Sequence, residues 1–318
     1  MKHVPRLLSS SKEHQEIMNP LELKEKILEL KTSRKAIIVA HNYQLPEIQD
    51  IADFIGDSLE LSRKAAQVEA EVIVFCGVHF MAETAAILAP EKIVLLPDLQ
   101  AGCPMANMIT PEELKEWKKQ LPGRPVVCYI NTTAAVKAEA DICCTSSNAV
   151  EVVNSLEAEE ILFVPDKNLG SYVQRYTSKK IISWDGFCYV HHHFSVGEVN
   201  EARRRWPEAQ IWVHPESPPE VVEAADLVLS TGKMVKEARL TDKKEIVIGT
   251  EEGILYRLKK ENPEKNFYPL KSGSLCFNMK KITLIKVYQA LQSMEPKIVV
   301  PTIIRERALR SIEKMISI

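Results

Sequence analysis

An internal repeat limits what this chain can fold into more than any other feature. An Ala-Asp pair opens an apolar run at Ala52-Asp53, Ala140-Asp141 and Ala225-Asp226. Five residues after each Asp stands a hydroxyl: Ser58, Ser146 and Thr231. Twelve residues before each Asp stands a polar ring, His41, Tyr129 and His214, and two residues further on another polar side chain, Tyr43, Asn131 and Glu216. Cys103, Cys188 and Cys276 follow the three hydroxyls by 45, 42 and 45 residues. Four features in one order at nearly one spacing, three times over, mark homologous units.

Short Val/Ile runs at 36–40, 72–76, 125–130, 160–164, 210–213 and 245–248 read as buried parallel strands, with amphipathic stretches between them. Helical patterns follow the hydroxyls over 58–68, 146–155 and 231–239, and connecting helices are expected at 111–120 and 197–206. The fold class is therefore α/β: three pseudo-threefold related αβα units with parallel sheets and right-handed crossovers, around a central active site. The expected division is an N-terminal extension and helix over 1–34, units over 35–123, 124–207 and 208–278, and a helical closing segment over 279–318. Within the first of these, 20–32 is expected as an outer amphipathic helix and 1–18 as partly disordered.

Bulk properties exclude several classes. Lys+Arg is 41 against Asp+Glu 43, a net of −2, which lacks the concentrated positive charge of a nucleic-acid binder. No apolar run reaches the roughly 18 residues of a membrane span, and the first residues carry no apolar signal core, so a cytoplasmic protein is expected. Seven cysteines in such a chain are not a disulfide framework.

The marked residues fall just after a strand or in a strand–helix turn. In open parallel sheets that is the end where ligands sit. If three such ends face one axis, each unit contributes a ring, a second polar group, a helix-start hydroxyl and a cysteine. Ser58, Ser146 and Thr231 singly read as ordinary N-caps. Repeated three times, they read better as anion sites at helix N-termini, for a substrate with several anionic groups.

The cysteines sort by context. Cys76, Cys128, Cys143 and Cys144 lie in apolar strands and read as small buried hydrophobes. Cys103, Cys188 and Cys276 each follow a glycine by one to three residues in a loop. They stand 85 and 88 residues apart, unlike the close pairs of structural zinc or ferredoxin sites, so folding must assemble the site. Three thiolates on a cubane cluster leave one iron open, which suits Lewis-acid chemistry such as dehydration better than electron transfer. A three-cysteine catalytic zinc remains open, as do a non-catalytic iron–sulfur redox carrier or sensor and a phosphosugar-binding regulator without a cluster.

Several long stretches carry a resemblance: AHNYQLPEIQDIADFIGDSLELSRKA (40–65), VFCGVHFMAETA (74–85), GCPMANM (102–108), YINTTAAVKAEAD (129–141), TSSNAVEVV (145–153), PDKNLG (165–170), CYVHHHF (188–194), WVHPESPPEV (212–221), STGKM (230–234) and KSGSLCFNMKKITL (271–284). From about residue 20 to the end, the chain resembles the quinolinate synthase family, the A proteins of de novo NAD biosynthesis. The resemblance implies a trilobed fold with one [4Fe–4S] cluster on Cys103, Cys188 and Cys276. It implies condensation of iminoaspartate with dihydroxyacetone phosphate to quinolinate, releasing phosphate and two waters. It also implies a transient partner that supplies iminoaspartate, an aspartate oxidase or dehydrogenase. On that footing Ser58, Ser146, Ser230, Thr231 and Gly232 are expected to hold phosphate or carboxylates, and Asp57 and Asn131 to orient hydroxyl or amine groups. Tyr43 and Glu216 are expected to move protons. His41, Tyr129 and His214 are expected to bind and polarise the intermediate. Of the run His191-His192-His193, the first is expected near the cluster and the others in a partly exposed loop.

Overall fold

The computed structural model describes residues 19–318; the expectation of disorder over 1–18 lies outside them. The chain opens with α1 (Pro20–Ser33), where Asn19 and Glu22 form a reciprocal capping box and Pro20 sits at the first helical position. Leu23 and Ile27 are its buried face, laid against a late helix, and each contributes about 1.5–3 kcal/mol by leaving water.

Three four-stranded parallel sheets follow. The first comprises β1 (Ala36–His41), α2 (Pro46–Ile51), β2 (Phe54–Gly56), α3 (Ser58–Gln67), β3 (Val72–Cys76), α4 (His79–Leu88) and β4 (Ile93–Leu95). After the linking helix α5 (Pro111–Gln120) comes the second: β5 (Val126–Tyr129), α6 (Ala134–Lys137), β6 (Ile142–Cys144), α7 (Ala149–Ser155), β7 (Glu160–Val164), α8 (Lys167–Gln174) and β8 (Lys180–Ser183). The short α9 (Tyr189–His192) and α10 (Val196–Arg205) lead to the third: β9 (Gln210–Val213), α11 (Pro219–Ala224), β10 (Leu227–Val228), α12 (Thr231–Leu240), β11 (Glu245–Gly249), α13 (Ile254–Glu261) and β12 (Asn266–Pro269). The spatial orders are β2-β1-β3-β4, β6-β5-β7-β8 and β10-β9-β11-β12. The repeat read from spacing is thus one topology used three times.

The third sheet shows why its strands read as continuous apolar runs. Ile211, Val213 and Val247 pack with Val199, Ala202, Val221 and Val222 of α10 and α11 on one face. Trp212, Ile246 and Ile248, on the other face, join the main core with Met234, Val235 and Ala238 of α12. Both faces are covered, as parallel sheets require. That main core also runs through the first two sheets.

The repeated Asp has a backbone duty. The amide N–H groups of Ile38, Val126 and Ile211 donate to the carboxylates of Asp53, Asp141 and Asp226 at 2.8, 2.8 and 2.7 Å. Each Asp returns its own N–H to the carbonyl of the same residue, at 2.8, 3.1 and 2.9 Å. The pair pins the start of β2, β6 and β10 beside the strand that precedes it.

The closing segment is α14 (Leu284–Ser293) and α15 (Thr302–Ile316). The α14 helix packs on α1, and α15 lies along β6 and α6 and touches α4, so the last helix joins the first two units. Ser311 in α15 donates to the Lys137 carbonyl at 2.9 Å.

One helix starts later than the sequence pattern suggests. The α7 helix begins at Ala149 rather than 146. Asn148 Oδ1 accepts from the Thr145 N–H at 2.9 Å and the Thr145 hydroxyl at 3.0 Å. This local bonding holds 145–148 as a turn in place of a helix start.

Candidate functional site

Strand ends and their following turns from all three sheets meet at one pocket, whose atom-free space, mouth included, is about 740 Å³. His41, Tyr43, Asp57 and Ser58 come from the first unit, Tyr129, Asn131 and Ser146 from the second, His214, Glu216 and Thr231 from the third. Cys103, Cys188 and Cys276 line the same pocket. The four strand cysteines are fully buried and do not line it. Met81, Met105 and Met279 complete its apolar wall.

Ser230 and Gly232 do not line this pocket. Ser230 caps α12, accepting from the Lys233 N–H at 3.3 Å, and its hydroxyl lies 2.7 Å from that of Ser147. Ser147 donates to Asp57 Oδ2 at 2.7 Å, while Asp57 Oδ1 caps α3 through the Leu59 and Glu60 amides at 3.0 and 2.9 Å. One side chain from each unit therefore meets in a hydrogen-bonded node beside the pocket. A Cβ on Gly232 would stand 2.5 Å from Asp57 Oδ2, so glycine is what lets the two helix starts approach. Ser58 and Thr231 sit at the first helical position, with the caps one residue earlier at Asp57 and Ser230. Ser146 lies in the turn before α7, its Oγ 3.2 Å from His214 Nε2.

Glu216 is the electrostatic centre. Its Oε1 accepts from the Tyr129 hydroxyl at 2.6 Å and from Asn131 Nδ2 at 3.4 Å. Its Oε2 lies 2.6 Å from His191 Nδ1 and 3.6 Å from His214 Nδ1. Burial works to raise its carboxyl, but the His191 and His214 rings and the Tyr129 hydroxyl override this and hold it well below the ordinary carboxylate range. Burial lowers His41 to about 4, against the pull of Asp57, and lowers His214 to about 3, helped by His191. Both rings are therefore neutral near pH 7. Burial and the charge of Glu216 push Tyr43 and Tyr129 well above the usual phenol range.

His191 links these groups. Its Nε2 lies 2.7 Å from the Thr250 hydroxyl and 3.3 Å from the Tyr43 hydroxyl, and the latter two are 2.5 Å apart. The ring stacks on His214 with centroids 4.5 Å apart. His192 is half-buried against Asn168, at 3.1 Å, and His193 is exposed. The sequence reading placed His191 near the cluster without a role and missed Thr250. The available signal for His191 was its place one helical turn after Cys188; Thr250 carries none. Asn131 Oδ1 is buried with no hydrogen-bond partner, an acceptor aimed at whatever enters.

The three loop cysteines fit a shared metal group. Burial pushes Cys103 up to about 12, with Cys276 and Glu216 adding to it, and pushes Cys188 well above its ordinary range, with Glu216 and the other two cysteines adding. Burial raises Cys276 as well. Three soft donors that crowd one another electrostatically are released from that cost when a cation replaces their protons. Backbone N–H groups of the turns that follow point at each sulfur: Ala106 and Met105, His191, and Met279 and Asn278. Cys188, His191 and Glu216 also bring one donor atom each within 4.8 Å of one another. In that trio the imidazole and carboxylate already face each other, with Thr250 and Tyr129 as further partners, which leaves the sulfur as the donor free for a metal.

Among the described residues, no helix is long and apolar enough to cross a membrane. The family model of the quinolinate synthetase A protein matches residues 25–317. The quinolinate synthase of Dehalococcoides mccartyi strain CBDB1 is 58% identical over 296 residues, covering 93% of this chain and 98% of the relative. That of Methanoregula boonei is 54% identical with the same coverage. That of Pyrococcus abyssi is 53% identical over 298 residues, covering 93% and 99%.

Proposed function

The chain belongs to the quinolinate synthetase A family, and from that premise we propose that it condenses iminoaspartate with dihydroxyacetone phosphate to quinolinate, releasing phosphate and two waters. The observation that carries the reading is the convergence of three loop cysteines with Tyr43, His191 and Glu216 on one pocket. A redox carrier or sensor, the other reading considered, has no need of neutral rings and a phenol–imidazole–carboxylate chain there, and the relatives' names favour the enzyme.

In this reading Cys103, Cys188 and Cys276 hold a [4Fe–4S] cluster. When bound, it supplies an open iron as Lewis acid for a hydroxyl or carboxylate during loss of water.

The chain's own groups divide the remaining work. Ser58, Ser146 and Thr231 offer hydroxyls, and the starts of α3 and α12 offer free N–H groups, to the phosphate and carboxylates. Ser230, Gly232 and Asp57 support them from the adjoining node. The open Asn131 Oδ1 accepts from an amine or hydroxyl of the substrate. His41 and His214, kept neutral, donate or accept hydrogen bonds without adding charge.

Tyr43 and Glu216 have environments that push their protonation apart, which separates acid from base. Tyr43 stays protonated and gives a proton, and Glu216 stays ionised and takes one. His191, 3.3 Å from the Tyr43 oxygen and 2.6 Å from Glu216, provides the path between them. Tyr129 holds Glu216 in place. An aspartate oxidase or dehydrogenase would supply iminoaspartate.

The test is an anaerobic assay of quinolinate from the two substrates. Product that needs both supports the reading. No product from chain carrying its full cluster, with both substrates in supply, would return it to the carrier class.

A further inference from the structure

The third strand of each sheet in chain order, β3, β7 and β11, is followed two residues later by Val78, Asp166 and Glu251. In the second and third units this residue is an acid with 0% exposure. Each acid uses both oxygens as acceptors for backbone N–H groups. Asp166 takes the Leu169 amide on Oδ1 at 2.8 Å and the Cys188 amide on Oδ2 at 3.2 Å. Glu251 takes the Cys276 amide on Oε1 at 3.0 Å and the Gly253 amide on Oε2 at 2.7 Å. Helix capping accounts for the Leu169 bond. It does not account for either bond to a cysteine, and those two cysteines are cluster candidates.

A buried carboxylate is expensive unless its neighbours compensate it. Lys280 does so for Glu251, with Nζ 2.8 Å from Oε1. The same ammonium donates to the Tyr43 carbonyl. The loop of Cys276 is thus tied to the turn that carries the proposed acid. In the first unit Val78 offers no side-chain acceptor, and Cys103 is held without one.

We propose that Asp166 and Glu251 are positioning residues for the cluster site. Each fixes one ligating cysteine by its amide N–H, so that Cys188 and Cys276 present their sulfurs before iron arrives. Cys103 has no such anchor. Groups of this kind orient metal ligands, and their loss typically lowers metal retention by about tenfold or more. The inference rests on the cluster reading above and deepens it.

Glu251→Gln and Asp166→Asn are the informative variants. An amide replaces one acceptor oxygen by a donor, so it cannot serve two N–H groups. Asp141→Ala is the comparison. It removes a carboxylate that also accepts a backbone N–H, but at the far edge of the second sheet. Holoenzyme reconstituted anaerobically would be treated with excess EDTA and the fading of its visible absorption timed. The apo chains' unfolding midpoints would be recorded alongside.

Glu251→Gln and Asp166→Asn should lose the cluster about tenfold faster than the unaltered chain. Asp141→Ala should lower the unfolding midpoint with an unchanged rate of loss. Unaltered rates in the first two, or an equal acceleration in Asp141→Ala, would overturn the proposal. If Glu251→Gln does not accumulate, Glu251→Asp keeps the charge but withdraws it from the Cys276 amide by one methylene. It should show the same acceleration, and an unaltered rate would again overturn the proposal. An unaltered chain that takes up no cluster would overturn the cluster reading together with this one. A stable cluster with indifferent variants would overturn this one alone.

Discussion

The two edges of the three sheets have diverged to different degrees. Where β2, β6 and β10 begin, Asp53, Asp141 and Asp226 make the same pair of backbone bonds, and the donor distances differ by only 0.1 Å across the three units. At the carboxyl ends of the strands the equivalent positions carry His41, Tyr129 and His214, then Tyr43, Asn131 and Glu216, then Val78, Asp166 and Glu251. One edge sets strand register, a demand common to every unit. The other faces a single pocket that needs an acid, a base, an open acceptor and neutral rings once each. A repeated scaffold can therefore supply an asymmetric site, because each unit is free to differ only where its strands end.

Substitutions that cross this division should separate turnover from stability. The largest effect is expected at Glu216 and Tyr43. Glu216→Gln or Tyr43→Phe should lower turnover by about 10²–10⁴-fold, the usual contribution of a positioned proton-transfer group. The cluster's absorption spectrum should stay intact. Unchanged turnover in Tyr43→Phe would remove its chemical role.

At the other edge, Asp141→Ala removes one backbone-bonded carboxylate. It should cost about 1 kcal/mol of stability by denaturant titration, with turnover of the folded enzyme unaltered. A loss of turnover without a loss of stability there would break the comparison. The smallest effect is expected at Ser58→Ala, which takes one hydroxyl from the pocket. It should raise the KM for dihydroxyacetone phosphate several-fold, as loss of one hydrogen bond to a charged group would. An unchanged KM would leave Ser58 as part of a helix start and nothing more.

Spacing made the repeat legible, and hence the three units and the residues at their strand ends. The longer strands were legible from Val/Ile runs such as Val72–Cys76. Most of their partners were not. The two residues of β10 and the three of β2 or β4 are too short for any period to show, and β6 was marked only through Cys143 and Cys144. The late start of α7 was hidden because Thr145 and Asn148 bond to each other, a choice that hydrophobic pattern does not encode. Of the site, the residues that repeat were found. Those that occur once were harder: Thr250 sits after β11 with no counterpart chemistry in the marked set, and His191 stood inside a histidine run that suggested a surface tract. Asp166 and Glu251 left a signal in hindsight, an acid two residues after the third strand in two units of three.

The central claim is that only three of seven cysteines, one from the carboxyl end of each sheet, hold the cluster. Iron and sulfide per chain, measured after anaerobic reconstitution of seven single Cys→Ala variants, test it most directly. About four of each are expected in the unaltered chain and in the variants at Cys76, Cys128, Cys143 and Cys144. Loss is expected at Cys103, Cys188 and Cys276. A folded variant at any of those three that keeps a full cluster, or a folded strand-cysteine variant that loses it, would contradict the account.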